Sequence, residues 1–258
     1  MGERADTGIK IIHCDETGIV VEGKGVWLHV ACNEQYTLYY PHKKRGKEAT
    51  DESGVLSGTG GVLIHDHWKP YFTYGNKEHA LCNAHYLREL AAATEEGQKW
   101  PGQMAELLTE ANKQTDEAGG QLPEDAQCRV RKKYQSILTE AEKENPLPPE
   151  RGEKKRGRPA QTKTRNLLDR MRRYAEEILR FMSDGDVPFT NNQAERDIRM
   201  MKVQQKISGS FRSWDGAEFF CRIRGYLSTC EKHHISSADA LKILFNGEFP
   251  DFIFDVAE

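Results

Sequence analysis

Three acidic residues lie at positions where folding could bring them together. Asp15 follows an apolar run that begins at Ile9, Asp66 follows the run Val62–His65, and Glu195 lies early in a helical segment. Carboxyl groups at strand ends are exposed where a sheet stops, and a helix packed across that edge can add a third. Three convergent carboxylates form an oxygen-rich site that suits Mg²⁺. The pattern therefore predicts metal-dependent chemistry on a phosphodiester, although each acid alone could be a surface or capping residue.

The helix that carries Glu195 strengthens this hypothesis. At about 100° per residue, Ala194, Ile198 and Met201 form one apolar stripe that is expected to face the core. Glu195 then lies between core and water, with cations further along its own face that could neutralise DNA phosphates. An amphipathic helix with a solvated basic side is the alternative. The adjoining polar stripe comprises Asn191, Glu195, Arg199, Lys202 and Lys206.

The elements that would position these acids begin with strands. Apolar stretches on either side of Glu22-Gly-Lys-Gly25 predict a hairpin, and Tyr36–Tyr40 predicts a third strand. Short strands are expected at Gly60–His65 and His79–Cys82. Asp15 and Asp66 are each expected to end a strand.

After Asn83 the sequence becomes helical in character. In the helix at 215–233, Phe220, Ile223, Leu227 and Cys230 recur at helical spacing and are expected in the core. The segment 145–159, rich in Pro, Gly, Lys and Arg, predicts a mobile basic loop. The predicted helices are Ala84–Glu96, Gly102–Ala118, Glu124–Glu144, Thr164–Met182, Asn191–Lys206, Asp215–His233 and a last helix capped by Ser236.

The composition excludes several classes of protein. With 258 residues, 37% hydrophobic and 30% charged, the chain can build a core and is not broadly disordered. No apolar run approaches the roughly 20 residues of a membrane helix, and the first residues lack the apolar stretch of a secretory signal. The six cysteines form no C-x-x-C pair, which indicates free thiols in a reducing cytosol.

The net charge of −3 conceals two basic segments. Residues 151–173 hold ten Lys or Arg against two acids, and residues 196–212 hold five against one. Basic clusters on both sides of one element favour a polyanionic partner, whereas solvated helix faces are the alternative. The residues predicted to contact DNA are Arg156, Arg158, Arg196, Arg199, Lys202, Lys206 and Arg212.

Four motifs follow one another along the chain: Cys14-Asp-Glu-Thr17, Leu63-Ile-His-Asp-His-Trp-Lys-Pro-Tyr71, Leu81-Cys-Asn-Ala-His-Tyr-Leu-Arg-Glu-Leu90 and Asn191-Asn-Gln-Ala-Glu-Arg-Asp-Ile-Arg199. In this order they resemble the catalytic part of the insertion-sequence-66 family of bacterial DDE transposases. The segment Lys206-Ile-Ser-Gly-Ser-Phe-Arg212 is similar to that family as well. The resemblance runs from about Ile9 to Leu244.

The resemblance implies an α/β fold, a ribonuclease-H-like mixed sheet flanked by helices, with an all-α insertion between the second and third catalytic acids. The catalytic and metal-binding triad would be Asp15, Asp66 and Glu195. The implied organisation is a first part of the core at 1–86, a helical insertion at 87–186 with a basic loop at 145–163, core helices with the third acid at 187–235, and a C-terminal helix and tail at 236–258.

The activity implied by the resemblance is metal-dependent hydrolysis at transposon ends, followed by attack of the freed 3′-hydroxyl on target DNA. Two Mg²⁺ or Mn²⁺ ions are expected. The expected partners are double-stranded DNA, further copies of the chain on that DNA, and a separate N-terminal DNA-recognition portion or accessory proteins, in the bacterial cytoplasm at the nucleoid. A ribonuclease-H-like nuclease or resolvase without strand transfer, and an inactive DNA-binding remnant, remain alternatives.

Four further residues are expected to support the site: Cys82, His85, Asn191 and Asn192. The C-x-x-H spacing of Cys82 and His85 resembles a motif that follows the second acid in some DDE enzymes. Packing or a DNA contact is the expected role, and a zinc site is the alternative.

Several residues beside the acids leave alternatives open. His13, His65 and His67 could orient water or contact phosphate, or could be structural or exposed. Glu16 could assist Asp15, although strand alternation aims it toward the opposite face. The aromatic cluster that begins at Trp68 is expected to pack in the core, with stacking on an unpaired base as the alternative.

Overall fold

The computed structural model describes residues 9–147 and 161–253. The chain divides into two compact units. One comprises the chain up to His79 and again from Asn191 onward, and the other, called the helical unit below, spans Ala80–Thr190. Arg156, Arg158 and most of the predicted basic loop lie outside the described residues. No described helix is both long enough and apolar enough to cross a membrane.

The five strands form one sheet in the order β3-β2-β1-β4-β5. The first three pair antiparallel, whereas β4 runs parallel to β1, so the sheet is mixed. The predicted α/β, ribonuclease-H-like fold with a mixed sheet and flanking helices is confirmed. The strands are β1 (Ile11–Val21), β2 (Lys24–Cys32), β3 (Thr37–His42), β4 (Val62–His65) and β5 (Glu78–Leu81).

The hairpin predicted between the first two strands is confirmed, but the end predicted for the first strand is wrong. Glu22 and Gly23 connect β1 to β2 with φ values of 52° and 72°, as a tight two-residue turn requires. Asp15 does not end the strand, because β1 continues to Val21 and pairs Asp15 with Val30 of β2. A paired neighbour carries a strand past a charged residue when the backbone hydrogen bonds continue on both sides.

Two short helices between β3 and β4 were not predicted, and the described helices from Asn83 onward follow the predicted order with one break. The predicted helix Thr164–Met182 is interrupted at Tyr174. The helices are α1 (Lys47–Glu52), α2 (Val55–Gly58), α3 (Asn83–Glu95), α4 (Trp100–Glu117), α5 (Glu124–Glu144), α6 (Lys163–Arg173), α7 (Ala175–Leu179), α8 (Asn192–Ser208), α9 (Trp214–Lys232) and α10 (Ser237–Phe245).

The two faces of β1 enter two different cores. Ile19 and Val21 pack with the buried stripe of α8, which consists of Ala194, Ile198 and Met201 as predicted. Ile12 and Cys14, at even positions, instead join a core that includes Leu63 and Tyr71. Because side chains alternate along a strand, every odd-numbered residue of β1, Asp15 included, shares the face that α8 covers.

The predicted buried face of α9 is only partly right. Cys230 is fully buried, but Ile223 is 49% exposed. Small residues such as Gly225 face the sheet instead, and a Cβ atom at Gly225 would lie 3.1 Å from the carbonyl oxygen of Thr37 on β3. Close approach of the helix to this edge strand selects small side chains, which spacing of large apolar residues cannot reveal.

Part of the predicted basic surface is neutralised within the helical unit. Three of the four arginines of α6 contact acids on α3, α5 and α6 itself, so these three are not available as free phosphate contacts. The ion pairs are Arg165 with Asp169, Arg170 with Glu89, and Arg172 with Glu142.

Gly61, which precedes β4, provides a test of how closely this strand docks on β1. It has φ +80°, and a Cβ atom there would lie 2.3 Å from the carbonyl oxygen of Lys10. We expect Gly61→Ala to lower the free energy of unfolding by about 3 kcal/mol or more. The matched control Gly54→Ala, at φ +71° with no atom within 4 Å, should lose only about 1 kcal/mol. Equal losses in urea denaturation would contradict the close docking.

Candidate active site

The register between β1 and β4 brings the two aspartates side by side. The parallel pairing joins Ile11 to Val62 and His13 to Ile64, a constant offset of 51 residues. Asp15 and Asp66 are separated by the same 51 residues. Continuing the register past the last paired residues therefore places them level with each other and on the same face of the sheet.

The third predicted acid reaches this place from the helix above. Glu195 lies in the first turn of α8, and α8 packs on the face of β1 that carries Asp15. Glu195 is partly buried, next to Ala194, which is fully buried in the core below the helix. The structure thus assembles Asp15, Asp66 and Glu195, although 180 residues separate the first from the last.

The pKa of Asp15 is consistent with the closeness of the other two acids. Burial raises the pKa of Asp15 to about 7, and the nearby charges of Glu16, Asp66 and Glu195 act in the same direction. The backbone N–H of Glu16 donates a hydrogen bond of 2.8 Å to the Asp15 carboxylate and partly offsets these effects. Among the described residues, no lysine or arginine forms an ion pair with Asp15.

These residues fit a divalent cation. The donor set consists of carboxylate oxygens, which hard ions such as Mg²⁺ and Mn²⁺ prefer. A cation among them would also favour the ionised form of Asp15, whose pKa is raised by burial and by the neighbouring acids. Asp15, Asp66 and Glu195 are therefore the side chains that could hold such an ion.

Asp66 is fixed by the turn that ends β4. Its Oδ1 atom accepts a hydrogen bond of 3.1 Å from the backbone N–H of Trp68. Between them, His67 adopts a left-handed conformation with φ 73°, which is uncommon for a non-glycine residue. The abrupt turn holds the carboxyl group at the end of the strand.

Glu16 faces the other side of the sheet and is already engaged. Its carboxylate accepts hydrogen bonds from Tyr71 Oη at 2.7 Å and from Arg45 at 2.6 and 2.9 Å. The Arg45 guanidinium also lies 4.7 Å from the ring of Trp27 and 4.6 Å from that of Trp68. Glu16 thus ties β1 to the segment that follows Asp66, a link that the sequence did not indicate.

The neighbouring histidines have structural surroundings. His65 is fully buried, and its Nε2 atom lies 3.2 Å from Nδ1 of His79. Burial holds the pKa of His65 well below its usual range, so it is neutral and cannot reach a phosphate. His13 is buried as well, with Nδ1 2.8 Å from Oδ1 of Asn191. The role in water or phosphate contact considered for these two residues is therefore not supported.

The four supporting residues occupy two places. In the helical unit, Cys82 is buried just before α3, and its Sγ atom lies within 4.8 Å of a ring nitrogen of His85. In the other unit, Asn191 is buried immediately before α8, whereas Asn192, the first residue of α8, is exposed.

The described cations predicted to contact DNA all lie on the surface. Arg196, Arg199, Lys202 and Lys206 are exposed along α8, and Arg212 is exposed shortly after it. In contrast to the three paired arginines of α6, none of the five forms an ion pair with a described acid. They form a positively charged surface that begins directly after Glu195.

Removing the Asp15 charge should stabilise the metal-free protein. A carboxyl group with a raised pKa favours folding when protonated, below about pH 4, and this contribution disappears as the pH rises through about 7. We expect Asp15→Asn to raise the free energy of unfolding at pH 8, in EDTA, by about 1–2 kcal/mol. The gain over the wild type should shrink as the pH falls toward 4.

Asp197 provides the matched control for this measurement. Its carboxylate lies 2.9 Å from Nζ of Lys232, and both side chains are 15% exposed. Asp197→Asn removes the partner of that ammonium group and should lower stability by about 2 kcal/mol. If both variants lose stability at pH 8, burial and the neighbouring acids do not destabilise the ionised form of Asp15.

Comparison with known proteins places the chain in a family. A model of the family described as "Transposase IS66 family" matches residues 7–219. A curated relative is "Uncharacterized protein y4jO" of Sinorhizobium fredii (strain NBRC 101917 / NGR234), with 34% identity over 70 residues. Those residues are 27% of this chain and 22% of the relative, so the chain spans about a fifth of that protein's length.

The family match includes all three acids and reaches beyond the end of α8. It therefore covers the strands and the helix that assemble the site, and most of the chain as a whole. This chain belongs to the IS66 family of transposases.

Proposed function

We propose that this chain is the catalytic part of a DNA transposase, which cuts DNA at transposon ends with a divalent metal ion and joins the freed end to target DNA. The observation that carries the proposal is that Asp66 and Glu195 lie close enough to Asp15 for their charges to raise its pKa. These acids come from two strands and one helix, and their convergence is what chemistry on a phosphodiester requires.

In this proposal the three carboxylates bind Mg²⁺ or Mn²⁺, with two ions expected. When bound, the metal ions would activate the attacking oxygen and neutralise charge on the phosphate. Glu16 remains bound to Arg45 and Tyr71 and keeps Asp15 and the Asp66 turn in register. No covalent bond between protein and DNA is needed, so no serine or tyrosine nucleophile is assigned.

We propose that the exposed cations of α8 bind the DNA backbone next to these acids. Arg199, Lys202 and Lys206 follow Glu195 on one side of the helix, at intervals of three or four residues. Contacts of this kind hold a duplex in place without reading its sequence. Recognition of the ends, and pairing of ends by several copies of the chain, would use other surfaces.

Substitution of the acids tests the catalytic part of the proposal. With Mg²⁺ or Mn²⁺ and a labelled duplex carrying the element's ends, Asp15→Asn, Asp66→Asn and Glu195→Gln should each lower cleavage at least about a hundredfold. Circular dichroism should show that the fold is retained. Glu48→Gln, an exposed acid on α1 paired with Lys44, should cleave like the wild type.

The products decide between the proposal and its alternatives. Joined DNA products support a transposase, whereas nicks alone support a nuclease or resolvase without strand transfer. Salt-sensitive DNA binding with no metal-dependent cleavage indicates an inactive remnant. Undiminished cleavage by any acid variant removes that residue from the site.

Substitution of the α8 cations tests the DNA surface. Replacing Arg199, Lys202 and Lys206 together by alanine should weaken duplex binding and lower the slope of log affinity against log salt by about 2–3. Fluorescence anisotropy at several salt concentrations measures both quantities. The control variant should have the same salt slope as the wild type. It replaces three exposed lysines of the helical unit by alanine, namely Lys113, Lys132 and Lys133.

A further inference from the structure

Asn191 is a buried residue whose polar side chain is used in an unusual way. It is 1% exposed and directly precedes α8. An asparagine at this position commonly accepts a hydrogen bond from its own helix, but this side chain makes no such bond. Its amide group reaches across to β1 instead.

The amide binds two consecutive residues of β1, next to Asp15. Nδ2 donates a hydrogen bond of 2.8 Å to the carbonyl oxygen of Cys14, and Oδ1 lies 2.8 Å from Nδ1 of His13. A carbonyl oxygen only accepts, so the first bond fixes which way the amide points. His13 must then donate from Nδ1 to Oδ1, so that both the nitrogen and the oxygen of the Asn191 amide have a hydrogen-bond partner.

The main chain of Asn191 extends this link to the third acid. Its carbonyl oxygen accepts a hydrogen bond of 3.2 Å from the backbone N–H of Glu195. Asn191 is therefore bonded at one end to the residue before Asp15 and at the other to Glu195. Because these groups are buried, water does not compete strongly for the bonds.

From this geometry we propose that Asn191 is a positioning residue, which fixes the start of α8 on β1 and thereby sets the placement of Glu195 relative to Asp15 for binding a divalent cation. The inference rests on the proposed function, because it takes the three acids to be the ligands. Residues that orient metal ligands typically contribute about 10- to 100-fold to metal affinity.

Mn²⁺ binding to the full chain without DNA tests the inference. The free Mn²⁺ signal in electron paramagnetic resonance gives the dissociation constant directly, independent of catalysis. Asn191→Leu keeps the approximate volume but removes both side-chain bonds, and it should weaken Mn²⁺ binding by about 10- to 100-fold. A folded Asn191→Leu protein with wild-type affinity would overturn the inference.

Two substitutions at His13 keep the test decisive if Asn191→Leu does not fold. His13→Leu removes the donor to Oδ1 and should weaken Mn²⁺ binding by about fivefold. His13→Gln restores an N–H donor and should bind within about twofold of the wild type. Equal affinities of the two variants would contradict the inference, because general packing defects would not be rescued by a donor.

A buried asparagine in the helical unit controls for stability alone. Asn145 is 8% exposed and donates hydrogen bonds to Gln98 and to the carbonyl oxygen of Ala141. Asn145→Leu should lower the melting temperature without changing Mn²⁺ affinity. A wild-type protein with no saturable Mn²⁺ binding would instead refute the proposed function, and the inference with it.

Discussion

The placement of three acidic residues close together and partly out of water is the constraint on which the rest of the fold around β1 depends. Isolated carboxylates prefer water, and each acid brought near another makes ionisation of both less favourable. The pKa of Asp15, raised to about 7 by burial and by its acidic neighbours, expresses that conflict. A sequence selected for stability alone would not keep this arrangement, and carboxyl groups with perturbed pKa values cluster at functional sites.

Hydrogen bonds on both faces of β1 hold the strand in place despite the repulsion between the acids. On one face, the amide of Asn191 binds the backbone of Cys14 and the ring of His13, so two hydrogen bonds join the start of α8 to the strand. On the other face, Glu16 and Arg45 join the strand to the segment after Asp66. Uncharged or internally neutralised contacts thus hold the charged groups together, and they add no further net charge to the acidic site.

Much of this fold could be predicted from periodicity and composition. The hairpin at Glu22, the strand before Asp66 and the buried stripe of α8 follow from local patterns that need no tertiary information. The continuation of β1 beyond Asp15 could not be predicted, because it depends on pairing with β2. The small-residue face of α9 depends likewise on how closely Gly225 approaches β3.

The candidate site was likewise only partly predictable from the sequence. The three acids can be predicted from their positions at the ends or starts of elements and from the motifs of the family, although Asp15 does not end its strand as predicted. Asn191 could be predicted as a supporting residue, but its hydrogen bond to His13 and the pairing of Glu16 with Arg45 could not, because these residues contact each other only after the chain has folded. The direction of α8 favours the charges at its two ends. The amino end of a helix favours an acid such as Glu195 and the carboxyl end favours a cation such as Lys206, so the helix dipole supports both the acidic site and the far end of the positively charged surface proposed to bind DNA.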